Sequence, residues 1–374
     1  MLRGGKVLLA DGDLAQVDII VEDGLIADIG HGMRAPGARP IDATGCLVLP
    51  GIVDIHGDAF ERNIMPRPGT MLPLGLAMLE SDRQLASNGI TTAYHGVTVS
   101  WEPGLRCVQQ SLSVVAALDE IKDQALIDNR IHIRWENYAI DELPAVYGLM
   151  DAAKKPLLAF NDHTTPGIAG ERKPSKYRAS AEKAMISVDD YLELLRQRAA
   201  RSAEVAPATE AVAIHAANKG ITMLSHDDSS VAMRSAYRKM GVTVAEFPMN
   251  WETVEDAVAA GDWVVLGAPN VVRGGSHNGS ISAEEAIGRR QCQILASDYY
   301  YPALLQAALM LVERGTSTIS EAWQLISMNP ARAAGLHDRG AISPGHRADL
   351  VVLPDGRTRA AMVICGGRVV YGEG

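Results

Sequence analysis

Short apolar runs alternate with helical patterns through the middle of the chain. The runs that predict β-strands are Ile52–Ile55, Ile90–Tyr94, Ile131–Trp135, Leu157–Phe160, Ile221–Leu224, Val242–Phe247, Trp263–Gly267 and Cys292–Ala296. Patterns typical of helices lie between most of them, for example at Leu105–Leu126, Ala181–Ala206 and Ala283–Arg289. Eight strands alternating with helices predict an α/β fold, a TIM-like (β/α)8 barrel. A doubly wound sheet is the alternative, but it would need a glycine-rich phosphate turn where His56-Gly57-Asp58 stands.

Both ends of the chain have a different pattern, in which short strands are separated by tight turns. The predicted strands there are Lys6–Ala10, Val17–Val21, Leu25–Ile29, Ala348–Leu353, Met362–Cys365 and Arg368–Tyr371. Two β-rich ends around a different middle predict one small β-sandwich domain built from both termini. We therefore expect residues 1-50 plus 336-374 to form the composite sandwich and residues 51-335 to form the barrel.

The composition of the chain argues against several classes of protein. The chain has 374 residues, of which 47% are hydrophobic and 21% charged, as in an ordinary globular protein. No apolar run reaches the ~18 residues that a membrane span needs, and the first residues do not resemble a signal peptide. The 45 acidic residues exceed the 35 basic ones, which argues against a nucleic-acid partner. The four cysteines form no CxxC pair, which favours reduced thiols and a cytoplasmic protein.

Ionisable side chains end several of the predicted strands. In chain order these are His56 and Asp58, Glu136, His163, His226 and Asp298. The carboxyl ends of the strands form the active face in barrel enzymes. Alternate residues of a strand share a face, so His56 and Asp58 point the same way and side chains of separate strands can converge.

This set of residues predicts a metal site in which all six residues are ligands. Histidines combined with carboxylates suit zinc first, with manganese, iron and nickel as alternatives. Glu136 would act as a bridging carboxylate that holds two ions ~3.5–4 Å apart. Such ions lower the pKa of a bound water toward ~7, and Asp298 could also orient that water and take its proton as the catalytic base.

Other polar residues near these strand ends have less specific interpretations. His95 is either a pocket residue or an ordinary buried polar group. His132 and Arg134 share a face with Glu136 but precede it, which favours buried hydrogen-bonded residues. Asp227 and Asp228 follow His226, where one of them either orients a ligand or caps the next helix.

Longer motifs resemble a known family. Pro50-Gly51-Ile-Val-Asp-Ile-His56, the β-rich ends and the late Ser297-Asp298 resemble the amidohydrolase superfamily. More specifically, the chain resembles the phosphonate-metabolism branch, the α-D-ribose 1-methylphosphonate 5-triphosphate diphosphatases. The stretches that carry this resemblance are Met65–Pro68, Ser225–Asp228, Ala245–Pro248, Leu266–His277, Ser297–Tyr300, Asn329–Pro330, Asp338–Gly340 and Ala348–Leu350.

The resemblance implies a reaction and a substrate. The enzyme would hydrolyse the 5-triphosphate of a ribose phosphonate to the 5-phosphate and pyrophosphate. The family has His-x-Asp on the first strand, matched by His56-Gly57-Asp58, and a glutamate where other members carry a carboxylated lysine, matched by Glu136. For such a phosphorylated small molecule, we expect the loop with Arg273 and His277, and also Arg67, to contact phosphate oxygens.

Two other functions compete with this one. A cyclic-amide hydrolase or deaminase would keep the fold and direct the same hydroxide to a carbon atom. A non-catalytic metal-binding scaffold is the third, against which the intact Asp298 argues. The stretches Ala59–Asn63, Gly69–Pro73 and Thr164–Gly170 depart from the family pattern and are expected to face the substrate. A homo-oligomer is compatible with the sequence.

Overall fold

The computed structural model describes residues 1–275 and 281–372. Its strands are β1 (Leu2–Arg3), β2 (Lys6–Leu8), β3 (Leu14–Gln16), β4 (Asp18–Glu22), β5 (Leu25–Gly30), β6 (Ile41–Asp42), β7 (Cys46–Pro50), β8 (Ile52–Gly57), β9 (Ile90–Val99), β10 (Asp128–Glu136), β11 (Leu157–Asn161), β12 (Thr222–His226), β13 (Val244–Glu246), β14 (Trp263–Gly267), β15 (Ile294–Ala296), β16 (Leu350–Pro354), β17 (Met362–Cys365) and β18 (Arg368–Tyr371).

The helices are α1 (Phe60–Ile64), α2 (Leu74–Ser87), α3 (Val108–Glu120), α4 (Leu143–Ala152), α5 (Thr164–Ile168), α6 (Pro174–Ala184), α7 (Val188–Ala199), α8 (Ser202–Asn218), α9 (Val231–Lys239), α10 (Trp251–Ala259), α11 (Ala268–Arg273), α12 (Ala283–Gly288), α13 (Ala303–Glu313), α14 (Ile319–Gln324) and α15 (Met328–Ala333). A 3-10 turn lies at Gly104–Arg106. Within the described ranges, no helix combines the length and the apolar character that crossing a bilayer requires.

Strands β8 to β15 form one parallel sheet in chain order. The sheet closes where Gly57 forms a parallel bridge with Asp298. There the amide of Asp58 donates to the carbonyl of Asp298 at 2.8 Å, and the amide of Asp298 donates to the carbonyl of His56 at 2.9 Å. The predicted (β/α)8 barrel and its eight strands are therefore confirmed.

The barrel interior is a packed apolar core below a polar layer. Side chains of successive strands fill it, among them Val53, Tyr94, Leu157, Leu224 and Val265. All five are buried, and they pack together as in other small parallel barrels.

One predicted helical stretch is divided in the structure. The pattern over Ala181–Ala206 is shared by α6, α7 and α8. Met185 ends α6 in the left-handed conformation with φ 59°. Ser187 then caps α7, because its side chain accepts a hydrogen bond from the amide of Asp190.

The two chain ends meet in two smaller sheets that sandwich an apolar layer. The four-stranded sheet has the order β5-β4-β1-β6, and the six-stranded sheet has the order β18-β17-β16-β7-β2-β3. Buried Ile19 and Ile26 of the first sheet pack with Val48, Leu350 and Ile364 of the second. This small sandwich agrees with the predicted fold, while the exact limits 1-50 plus 336-374 and 51-335 stay predictions.

Candidate metal centre

The carboxyl ends of the barrel strands bring together three overlapping groups of histidines and carboxylates. The groups are His56, His226 and Glu246; His163, His226 and Asp227; and His56, Asp58 and Asp298. Within each group, one ligand atom of every residue lies within 4.8 Å of the others. His56 and His226 each belong to two groups, so the three form one continuous array.

The most deeply buried group joins strands β8, β12 and β13. Nδ1 of His56 lies 2.7 Å from Oε1 of Glu246, and the exposed fractions of the two side chains are 1% and 0%. The imidazole centroids of His56 and His226 are 5.5 Å apart. Burial, with Arg134 nearby, lowers the pKa of His56 well below its usual value. His56 is therefore neutral, the form in which imidazole binds a metal.

The second group lies nearer the barrel mouth. Oδ2 of Asp227 is 3.2 Å from Nδ1 of His226 and 3.9 Å from Nε2 of His163. Asp227 adopts the left-handed conformation with φ 58°, which turns the chain out of the strand just after His226. The Asp227 side chain is 42% exposed, so this part of the array is open to solvent.

The third group contains the predicted catalytic base. Asp298 has a left-handed φ of 54°. The preceding residue, Ser297, is held by Asp54, whose carboxylate accepts from both the hydroxyl and the amide of Ser297. Burial and the negative charge of Asp58 raise the pKa of Asp298 to about 7. A carboxylate with such a pKa is suited to accept a proton near neutrality, although a cation beside it would lower the value.

Glu136 is separate from these three groups. Its carboxylate forms an ion pair with Nδ1 of His163, and its Oε2 accepts from the His163 amide at 3.3 Å. Burial opposes ionisation, but His163 lowers the pKa of Glu136 to about 2. The structure thus links Glu136 to the array through His163, and its role as a bridging ligand stays a prediction.

Sequence reasoning did not assign Glu246 or Asp227 as ligands. Glu246 ends the sixth barrel strand as His226 ends the fifth, so the same strand-end signal was present. Asp228 has a different role: its carboxylate accepts from Ser225 and Arg234 inside the protein. The cap of the following helix α9 is Ser230.

Three other buried polar residues are His95, His132 and Arg134. The two histidines have ordinary hydrogen-bonding roles, whereas Arg134 contacts the array. Nε2 of His95 lies 2.8 Å from Oδ1 of Asn129, and Nδ1 of His132 lies 3.0 Å from the carbonyl of Ile55. Both are therefore hydrogen-bonded inside the barrel wall. Arg134 is also buried, but it reaches the array.

The two arginines predicted to bind phosphate are both exposed. Arg67 is exposed, and its carbonyl accepts from the amide of Thr70. Arg273 is the exposed last residue of α11. His277 lies outside the described residues. The substrate contacts assigned to these three residues stay predictions.

The donors at this site fit a divalent cation. Among residues 1–275 and 281–372, neither carboxylate oxygen of Glu246 has an aligned hydrogen-bond donor, although Glu246 is fully buried. An unpaired buried carboxylate is costly. Neutral imidazoles next to a carboxylate form the donor set that zinc and similar ions prefer, so a cation bound here would compensate the Glu246 charge.

This fold and this array define a barrel enzyme whose site lies at the carboxyl ends of the strands. A sequence profile of the amidohydrolase family matches residues 294–371. The α-D-ribose 1-methylphosphonate 5-triphosphate diphosphatase of Escherichia coli (strain K12) is 30% identical over 94% of this chain and 94% of its own length. The adenine deaminase of Methylobacterium sp. (strain 4-46) is 27% identical over 98% of this chain and 58% of its own length.

The fold comparison agrees with the sequence comparison. The crystal structure of an amidohydrolase matches with a TM-score of 0.66 at 16% identity, covering 100% of this chain and 98% of that one. The chain belongs to the amidohydrolase superfamily, whose members related to it are hydrolytic enzymes. The resemblance read from the motifs is thus confirmed.

Proposed function

We propose that the protein is a metal-dependent hydrolase that cleaves a ribose 1-phosphonate 5-triphosphate to the 5-phosphate and pyrophosphate. The observation that carries this proposal is the 30% identity to the Escherichia coli diphosphatase along 94% of both chains. The array of histidines and carboxylates at the strand ends is consistent with it, because it offers ligands for a cation. The substrate is then a small phosphorylated molecule of phosphonate catabolism.

The residues that would hold one or two divalent ions are those of the array together with Glu136, which pairs with His163. The array residues are His56, Asp58, His163, His226, Asp227, Glu246 and Asp298. When bound, the ions supply positive charge for phosphate oxygens and lower the pKa of a coordinated water. Zinc suits this mixture of nitrogen and oxygen ligands best, with manganese, iron and nickel as alternatives.

Asp298 is the residue we assign to proton transfer. In the reaction, a water oxygen bonds to phosphorus, and the P–O bond between the 5-phosphate and the departing pyrophosphate breaks. The proton of the water passes to the Asp298 carboxylate. Asp54 and Ser297 fix the backbone next to Asp298 through hydrogen bonds, so the base is held in place before the substrate binds.

A substrate panel tests the proposal. Metal-loaded protein would be assayed for pyrophosphate release from ribose and nucleoside triphosphates, beside ammonia release from aminopurines and ring opening of cyclic amides. We expect pyrophosphate from triphosphates, with the ribose phosphonate preferred. Turnover of a cyclic amide or aminopurine without any pyrophosphate release would overturn it.

A C–N bond hydrolase is the second candidate function. It is supported by the 27% identity to the Methylobacterium adenine deaminase, which this chain matches along 98% of its own residues. Asp298 would accept the proton in this reaction too, since attack on a carbon atom also requires a deprotonated water. The panel above separates the two candidates.

A further inference from the structure

Arg134 lies inside the candidate metal centre although it is not a metal ligand. It is on β10, two residues before Glu136, and its side chain is 6% exposed. Nη1 is 3.5 Å from Oδ2 of Asp58, and Nη2 is 3.2 Å from Nε2 of His226. The guanidinium therefore spans the space between two ligands that belong to different groups of the array.

The neighbouring strand leaves room for this side chain. Gly96 on β9 faces Arg134, and a Cβ at Gly96 would lie 3.1 Å from Cδ of Arg134. That distance is closer than a methyl group normally packs against a methylene. A glycine at this position thus allows the arginine to extend along the barrel wall to the carboxyl end.

The guanidinium of Arg134 is not saturated by the protein. Its Nε has no hydrogen-bond partner in the described part of the chain, and its contact with Asp58 is long. Buried guanidinium groups need well-placed acceptors to offset their desolvation. The group retains donors for an acceptor that the described residues do not provide.

Two other arginines show the contrast. Arg234 is buried and donates to Ser225, Asp228 and main-chain carbonyls, so its role is structural. Arg106 lies 3.7 Å from Asp58, but its Nε and Nη2 donate to the two carboxylate oxygens of Glu61 at 2.8 and 2.9 Å. Of these three arginines, only Arg134 contacts the array without also donating two hydrogen bonds to one carboxylate.

We infer that Arg134 is a substrate-binding residue that selects phosphoryl oxygens. This inference rests on the proposed function and deepens it, since it adds a buried group of the site to the exposed Arg67 and Arg273. A guanidinium presents parallel N–H groups that match two phosphate oxygens. Asp227 and His163, which are 42% and 30% exposed, leave the array accessible from solvent.

The test is direct binding of inorganic pyrophosphate to metal-loaded protein by calorimetry, with metal content measured on each sample. Arg134→Gln should weaken pyrophosphate binding at least about tenfold, and Arg134→Lys should weaken it less. Arg83→Ala, at an exposed position of α2 outside the array, should change it less than about twofold. KM for triphosphates should rise in the Arg134 variants more than kcat falls.

Several outcomes would overturn the inference. One is wild-type pyrophosphate affinity in Arg134→Gln at unchanged metal content. Another is loss of metal in both Arg134→Gln and Arg134→Lys, which would make Arg134 a support for the ligands. Equal weakening of malonate binding would remove the selectivity for phosphoryl groups. Because binding is measured without turnover, an Arg134-dependent pyrophosphate site in a protein that hydrolyses no triphosphate would refute the proposed function alone.

Discussion

At the scale of single residues, the most informative group is the carboxylate of Glu246. It is buried, it lies 2.7 Å from a histidine nitrogen, and it lacks an aligned donor among the described residues. A carboxylate in this environment would destabilise the fold unless a positive charge compensates it. If Glu246 binds a metal ion, the charge of the ion explains why a buried carboxylate is tolerated at this position.

Replacing Glu246 by glutamine tests this role. Glu246→Gln keeps the size of the side chain and removes the charge, so we expect metal affinity to fall at least about tenfold. Metal content after dialysis, measured by plasma mass spectrometry, gives the readout. Glu252→Gln, at an exposed position of α10, is the control. Full metal content in Glu246→Gln would contradict the assignment.

Asp298 should behave differently from Glu246. Asp298→Asn preserves an oxygen ligand but cannot accept a proton, so we expect kcat to fall about 10²–10⁴-fold with metal retained. In the wild type, kcat/KM should rise with pH as the carboxylate ionises, and this acid limb should be absent in the variant. Near-normal turnover of Asp298→Asn would show that another group takes the proton.

At the scale of elements, the sequence predicts the strands better than the helices. All eight barrel strands follow from apolar runs, and four of these runs are followed within two residues by His56, Glu136, His226 or Asp298. The break of the helical pattern near Met185 depends on a local left-handed residue, which apolar periodicity does not reveal. Arg134 is buried and hydrogen-bonded as expected, but its contacts with Asp58 and His226 depend on the reach of its side chain, which strand position alone does not reveal.

Three elements beside the site are joined by one carboxylate. Glu61 on α1 pairs with Arg106 of the 3-10 turn at 2.8 Å and with Lys183 of α6 at 2.6 Å. Its side chain is 9% exposed. Burial opposes ionisation of Glu61, yet Arg106 and Lys183 lower its pKa to about 2. The folded protein therefore favours the charged form more than the unfolded chain does.

Glu61→Gln should cost on the order of 3 kcal/mol of unfolding free energy at pH 7. Because the folded pKa is lowered, this contribution is present above about pH 4.5 and is lost as the pH falls toward about 2. Urea unfolding of both proteins between pH 7 and pH 3 measures the difference. Glu80→Gln, which removes a surface pair with Arg83, should cost less than about 1 kcal/mol. A difference between wild type and Glu61→Gln that does not change with pH would contradict this account.

At the scale of the whole molecule, the array connects strands that are far apart in the chain. Its side chains come from β8, β12 and β13 and from residues that follow β11 and β15. A cation held by them would cross-link the carboxyl end of the barrel. Ligands that bind only the folded state stabilise it in proportion to their affinity.

Chelation should therefore lower the thermal stability. We expect Tm of the metal-loaded protein to fall by at least about 5 °C on treatment with a chelator, and to recover when metal is restored. Differential scanning calorimetry gives the measurement. The shift should shrink in Glu246→Gln, and an identical Tm with and without metal would argue against a cation in the array.

The strand order of the six-stranded sheet determines which part of the protein can complete its fold first during synthesis. Leu350 pairs with Pro50, so strand β7 obtains its partner β16 only after residues 51–349 have been synthesised. Until then, the edge of β7 that pairs with β16 has no partner strand. The barrel can close first, and the sandwich closes last, as expected for contacts of large sequence separation. Changes in β16 to β18 should therefore reduce the yield of folded chains before they alter the chemistry at the far end of the barrel.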